Sequence, residues 1–331
     1  MFGRSLRIGR LFGIDFKVDS SWLVIAALVV FSLTTLFGRW HPAWTQGTSL
    51  AVALVAAFSF FASLVLHELA HATVARVVYK IPVRDITLHM FGGVASIERE
   101  PATPGAELFI AIVGPVTSIG LGVAMLALGS ALTGMPAQAD QLAALSPVET
   151  MLLWLGPVNI GIGLFNMIPG FPLDGGRILR AILWKATGDV TKATHWSSSV
   201  GQTVGLAFIL GGIAMAVGLR IPFFGRGFGA GIWLAMIGMF LRGAAKRQEA
   251  SQTLRSMLEG VRVSDVMRPY LGWSRPVEVK GAHVAPSDAL TDALPELAET
   301  PEHQVPVVEN GVLVGMLFEA DVSKLLSRGL A

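Results

Sequence analysis

Six stretches of the chain stay apolar over roughly the 20 residues that a helix needs to cross a bilayer. They are Ser21–Phe37, Leu50–Ala75, Ala106–Leu132, Pro147–Ile168, Val200–Leu219 and Phe228–Leu241, the last short, Gly-rich and expected to begin a few residues earlier. Backbone in hydrocarbon must satisfy its own hydrogen bonds, so each span is expected to be a helix. The first follows a basic arm and is not trailed by a small-residue cleavage pattern, so it reads as a span and not a signal peptide. Ile81–Glu98 is too polar to span, rich in β-formers and carries Gly92-Gly93. It predicts a hairpin or re-entrant extended segment beside the bundle, although a surface helix would also account for Leu88, Met90 and Phe91. Gly175–Thr187 predicts a helix with Asp174 as its cap and Leu179, Ile182 and Leu183 on one face.

Past residue 261 the pattern changes. Val263–Met267 reads as a short lead-in segment, Ala289–Leu297 as a helix, and Val305–Val308 and Val312–Leu317 as strands joined at the turn pair Asn310-Gly311, with Asp321–Leu326 closing as a helix. The predicted fold class is a mainly α polytopic membrane protein, about six transmembrane helices with a short re-entrant β segment, plus a small cytosolic α/β domain. The boundaries are 1–250 for the membrane part and 261–331 for the tail.

Charge sharpens that division. Residues 251–331 hold 7 Lys/Arg and 11 Asp/Glu, whereas residues 1–250 hold 18 and 12. An apolar, mildly basic body therefore carries an acidic, water-soluble tail. Only 15% of residues are charged against 53% hydrophobic, which excludes a secreted soluble enzyme and a disordered chain, and a net charge of +2 excludes a phosphate-tracking nucleic-acid binder. Lys and Arg set orientation. Arg4, Arg7, Arg10 and Lys17 precede span one; Arg76, Lys80, Arg84 and Arg99 follow span two; Arg177, Arg180, Lys185 and Lys192 follow span four; Arg242, Lys246 and Arg247 follow span six. All fall on one side, whereas the opposite loops hold only Arg39, Asp140, Arg220 and Arg226. This predicts a multi-pass protein of the cell membrane with both termini cytoplasmic.

The absence of Cys leaves His and carboxylates as the ligands for any metal. Span two contains His67-Glu68-Leu69-Ala70-His71. Two His at i and i+4 share one helix face and can reach one zinc, and Glu68 is placed to act as general base toward water at the ion's open position. On a soluble helix the same residues are often a solvated face; inside a membrane span they are costly, and that cost favours function. A catalytic zinc needs a third protein ligand. His41 and His195 fall in predicted loops, and His283 and His303 in the tail. The better candidate is Asp174 in Asn166-Met-Ile-Pro169-Gly-Phe-Pro172-Leu-Asp174-Gly175-Gly176-Arg177, where two prolines and three glycines break the helix. Cap and ligand are compatible roles for Asp174. Nine residues of helix, about 13 Å, separate His67 from Arg76, so both motifs are expected at similar depth below the cytoplasmic face. Two His and one carboxylate also suit iron(II).

An HExxH in a membrane helix paired with a distant Asn-x-x-Pro-x-x-Pro-Leu-Asp-Gly resembles the site-2 protease family of intramembrane zinc metalloproteases. The layout is most similar to the branch with a cytosolic CBS (cystathionine β-synthase) domain, which includes the sporulation-factor processing protease. The resemblance implies one Zn2+ held by His67, His71 and Asp174, with Glu68 as catalytic acid/base. It implies that Asn166 helps hold the substrate or oxyanion; from the residue type alone, Asn166 could equally be an interhelical hydrogen-bond donor. It implies that the extended segment around Gly92 and Gly93 pairs edge-on with an unwound substrate strand. Nearby His89 is expected to be structural or interfacial. The family's Gly-Pro-x-x-polar helix is matched by Gly114-Pro115-Val116-Thr117-Ser118, with Ser118 where some members carry Asn. The implied function is regulated intramembrane proteolysis of a single-span membrane protein, such as an anti-sigma factor or pro-transcription factor. No inter-span stretch is long enough for a PDZ domain, so substrate filtering falls to the tail or a partner. The tail resembles a single CBS motif, which implies a homodimer through pairing in trans. Phe318 stands where Ser or Thr accompanies adenine-nucleotide binding in related motifs, so a packing role is at least as well supported. The competing class is a metal-binding transporter or channel with a CBS regulatory tail, which would carry polar residues along several helices and related halves; here the polar groups gather at one place.

Overall fold

The computed structural model describes residues 5–11, 13–90, 92–97, 100–133, 139–222, 224–270, 283–300 and 302–329. Arg4, Phe91 and Arg99 lie outside the described residues. The chain divides into two units, 1–248 and 249–331.

The first unit is mainly helical. It opens with strands β1 (Leu6–Leu11) and β2 (Ile14–Val18), followed by α1 (Ser20–Trp40) and α2 (Gln46–Thr73), which runs on through a π-helical turn, Val74–Val78. Strands β3 (Val83–His89) and β4 (Gly92–Ile97) follow. Helices α3 (Pro104–Thr133), α4 (Ala139–Ala143), α5 (Pro147–Asn166), α6 (Asp174–Thr187), α7 (Val190–Ala216) and α8 (Phe228–Leu258) complete the series, α8 crossing the division between units. Among the described residues six helices are long and apolar enough to span a membrane.

Four of the helix starts have a local cause in a capping side chain. Asp19 accepts from the Ser21 N–H, Thr45 from the Thr48 N–H, and Asp189 from the Lys192 N–H, while Ser146 and Glu149 form a reciprocal capping box. Between α3 and α5 the contact is backbone-close: a Cβ on Gly122 would stand 2.6 Å from the Gly156 carbonyl oxygen, the small-residue packing that substitutes for a hydrophobic drive inside lipid.

Several expectations shift. The basic N-terminal arm is not featureless: β1 pairs antiparallel with β2, and β2 pairs parallel with β3, giving a four-stranded sheet in the order β1-β2-β3-β4. Lys17 reaches the Asp85 carboxylate at 2.8 Å across the β2–β3 junction. Within the stretch expected to be a hairpin or a surface helix, Val83–His89 and Gly92–Ile97 are therefore antiparallel strands of a larger sheet. Span five begins at Val190, ten residues earlier than hydropathy suggests, because Asp189 caps it; this moves Lys192 and His195 from a loop into α7.

The second unit takes in the end of α8, the short helix α9 (Val263–Val266), β5 (Arg268–Pro269), α10 (Leu290–Glu299), β6 (Gln304–Glu309), β7 (Val312–Phe318) and α11 (Glu319–Gly329). Its strands form one sheet in the order β5-β7-β6, with Asn310 and Gly311 both at positive φ in the connecting turn. Leu258, Val263, Leu290, Leu297, Val305, Val307 and Leu317 fill its core.

Candidate metal centre

The helical repeat of α2 puts His67 and His71 on one buried face. The Nε2 atoms of the two rings are 3.2 Å apart. From the other side of the site comes Asp174, delivered by the broken backbone between α5 and α6. Gly170 N–H donates to the Ile168 carbonyl, Leu173 N–H to that of Gly170, and Phe171 N–H to the Ser197 carbonyl of α7. These bonds turn the chain so that Asp174 Oδ2 stands 3.1 Å from His67 Nε2 and 3.2 Å from His71 Nε2. The cap assignment is corrected: Leu173 occupies the N-cap of α6 without a side-chain bond, and Asp174 is the first helical residue. Its carboxylate is thereby free to face the imidazoles, while remaining at the positive end of the helix dipole.

The three atoms make an almost equilateral triangle. A tetrahedral zinc with ligands at 2.0–2.1 Å has ligand–ligand edges of about 3.3 Å, and the observed edges match. Protonation chemistry points the same way. His71 Nδ1 lies 2.6 Å from the Ile110 carbonyl oxygen, which only accepts, so Nδ1 carries the proton and neutral His71 turns a bare Nε2 lone pair toward a carboxylate oxygen. Two acceptors at that distance need a cation between them. His67 is oriented in parallel fashion by Ser118 Oγ, 2.9 Å from its Nδ1. Carbonyl and hydroxyl partners on the distal nitrogens are the usual outer-shell support of metal-binding imidazoles. Among the described residues this is the only group of three such side chains with converging ligand atoms.

Space for an ion is provided by α3. A Cβ on Gly114 would stand 2.1 Å from His71 Nε2 and 2.8 Å from His67 Nε2. Any side chain there would occupy the coordination sphere. Glu68, next to the first ligand, packs its side chain against β4, where a Cβ on Gly93 would come within 2.5 Å of Glu68 Cγ. The carboxylate is within electrostatic reach of His71, His67, Asp174 and Arg177.

Of the residues singled out from sequence, the structure brings together His67, Glu68, His71, Asp174 and Gly93. Gly92 lies one residue away, paired with His89 at the β3–β4 turn. Asn166 is not drawn into the triangle: its Nδ2–H donates to the Ile162 carbonyl of its own helix at 3.0 Å. His41 is buried at the end of α1, 2.8 Å from Thr150 Oγ1. Sequence reading missed Ile110 altogether, and it picked out Gly114 and Ser118 only as a family helix pattern, without placing them against the histidines. Their spacing with Glu107, one face of α3 at positions 107, 110, 114 and 118, was the available signal.

Together these features define a helical protein with six helices long and apolar enough to cross a membrane and a candidate metal centre of two histidines and one carboxylate, with a glutamate beside it. Residues 55–146 and 128–212 match Peptidase family M50. The chain is 38% identical over 269 residues to a putative zinc metalloprotease of Mycobacterium tuberculosis, covering 80% of this chain and 63% of that protein. It is 36% identical over 266 residues to a putative zinc metalloprotease of Synechocystis, covering 80% and 65%. To a zinc metalloprotease of Methanocaldococcus jannaschii it is 30% identical over 268 residues, covering 80% and 67%. The solved site-2 protease from the same archaeon superposes with a TM-score of 0.50 at 27% identity, covering 74% of this chain and 95% of that one. The chain belongs to peptidase family M50; it spans about two thirds of the length of these curated relatives.

Proposed function

We propose that the chain is an intramembrane zinc endopeptidase that hydrolyses peptide bonds within or near transmembrane segments of single-span regulatory proteins. The observation that carries this reading is the triangle of His67 Nε2, His71 Nε2 and Asp174 Oδ2, with edges of 3.1–3.2 Å and Glu68 alongside. Zinc bound there supplies Lewis acidity toward a scissile carbonyl and toward water. Glu68 takes the proton from the attacking water and returns it to the leaving amide nitrogen. Ile110 and Ser118 keep the lone pairs of both imidazoles directed at the ion. The sheet order leaves β4 as its last strand, beside Glu68, so an unwound substrate segment adds to the sheet there and presents its carbonyls to the site. A substrate helix must unwind first, which makes helix-weakening residues in the target a requirement.

The arrangement of basic loops supports cytoplasmic termini, with water entering from that side. The tail is read as a CBS-like unit that pairs with a second copy of the chain. Arg268 holds Asp321 through two bonds, at 2.7 and 2.9 Å, which favours packing over nucleotide capture. The test is co-expression with a single-span reporter whose membrane segment carries helix-weakening residues. Cleavage is expected with the wild type, lost in Glu68→Gln with zinc retained, and lost together with zinc in Asp174→Ala. Cleavage that persists in Glu68→Gln would overturn the mechanism.

A further inference from the structure

Two buried charges in the first unit take no part in the reaction proposed above. Glu107, in the first turn of α3, is 1% exposed, and Arg180 of α6 is 2% exposed. Although the sequence suggests that Arg180 is one of the loop cations, its Nε donates to Glu107 Oε1 at 2.6 Å and its Nη2 lies 2.5 Å from the same oxygen. Its Nη1 is 3.5 Å from the Glu100 carboxylate, and the guanidinium sits 5.4 Å above the centre of the Phe171 ring. Stability does not account for such a pair, since a buried ion pair is often no better than apolar residues of the same volume.

Position accounts for it. Glu107 stands one turn before Ile110, whose carbonyl receives the His71 Nδ1–H. Phe171 stands three residues before Asp174, in the bend that delivers that carboxylate. Arg180 thus grips, at one point, both the helix that aims an imidazole and the bend that brings the third ligand. A guanidinium fork fixes direction as well as distance, which an apolar contact does not.

We infer that Glu107 and Arg180 are a positioning pair for the metal centre: they lock the Asp174 bend in register with His67 and His71, and neither touches the ion. This rests on the zinc reading above, and the experiment separates the two. Full-length protein is stripped with a chelator, reloaded with Co2+, and examined by its d–d absorption; zinc affinity is measured by competition with a chromophoric chelator. Glu107→Met/Arg180→Met removes both charges while keeping volume and strands neither. It is expected to melt close to the wild type, to bind zinc about 10- to 100-fold more weakly, and to show a cobalt band altered in intensity and position. Arg180→Lys retains charge without the fork and is expected to fall between; should the double variant not fold, Arg180→Lys alone decides. Wild-type affinity and an unchanged cobalt spectrum in the folded variant overturn the inference and leave the metal centre standing. Failure of the wild type to take up cobalt removes the metal centre and the inference with it.

Discussion

Ser118 Oγ lies 2.9 Å from Nδ1 of His67, joining α3 to α2 across 51 residues of chain. The hydroxyl is able to accept from a protonated Nδ1, and that is the tautomer whose Nε2 is free to ligate. Ser118→Ala is therefore expected to lower zinc affinity by about tenfold without changing the melting temperature appreciably, as read by chelator competition alongside a thermal melt. An unaltered affinity would show that helix packing alone orients the ring.

Gly114 offers a stricter test of where the ion sits. A methyl group at that position falls inside the coordination sphere, so Gly114→Ala is expected to abolish stoichiometric zinc, measured by elemental analysis. Gly122→Ala is the control. Its methyl would press on the Gly156 carbonyl and Ile160, at a cost of about 1–3 kcal/mol from overpacking, and zinc content is expected to stay at one per folded chain. Equal zinc loss in both variants would mean that Gly114 serves helix packing only.

Gly93 bears on the base and not on the metal. A Cβ there displaces Glu68 at Cγ, and a shift of about 1 Å in a reacting group costs up to 100-fold in rate. Gly93→Ala should therefore retain zinc and lower kcat with a smaller effect on KM for the reporter substrate. Loss of zinc instead would tie β4 to the ligands.

Acid should loosen the tail through Asp321. The Arg268 guanidinium bonded to its carboxylate holds that group below its ordinary value. A carboxylate depressed in the folded state contributes stability above its unfolded pKa of about 3.9; the contribution is lost as pH falls through the folded value. Hydrogen-exchange protection of α11 in the full-length protein is expected to hold steady down to about pH 5 and then decline, modestly because the pair is exposed. In Arg268→Met the Asp321 part of that decline should vanish. Identical profiles would remove the pair from the account.

Legibility followed the range of the interaction. The six apolar helices, the shared face of His67 and His71, and the Asn310-Gly311 turn are matters of local periodicity and composition, and they were readable directly. Hydropathy placed the start of span five at Val200 because the polar first turns of α7, with Lys192, His195 and three serines, mask a helix that a single carboxylate cap begins. The strands β1 and β2 were missed because Arg7, Arg10 and Lys17 look like a topogenic arm until their partners Asp15 and Asp85 are seen. Arg180 misled for the same reason: a cation's role depends on its neighbour, and Glu107 is 73 residues away.

By itself, the sequence determined what is periodic or covalently near: an i, i+4 histidine pair cannot avoid sharing a helix face, and the cluster Pro169-Gly170-Phe171-Pro172 just after Asn166 disfavours carrying α5 further. Only the tertiary structure decided which side of α3 faces the imidazoles, and hence that Ile110, Gly114 and Ser118 form the back of the centre and that Asp174 faces the ligands and does not cap its helix. Those choices arise from small-residue contacts between helices, where one missing Cβ fixes the approach of two backbones, and no local pattern encodes which distant groove such a face will meet.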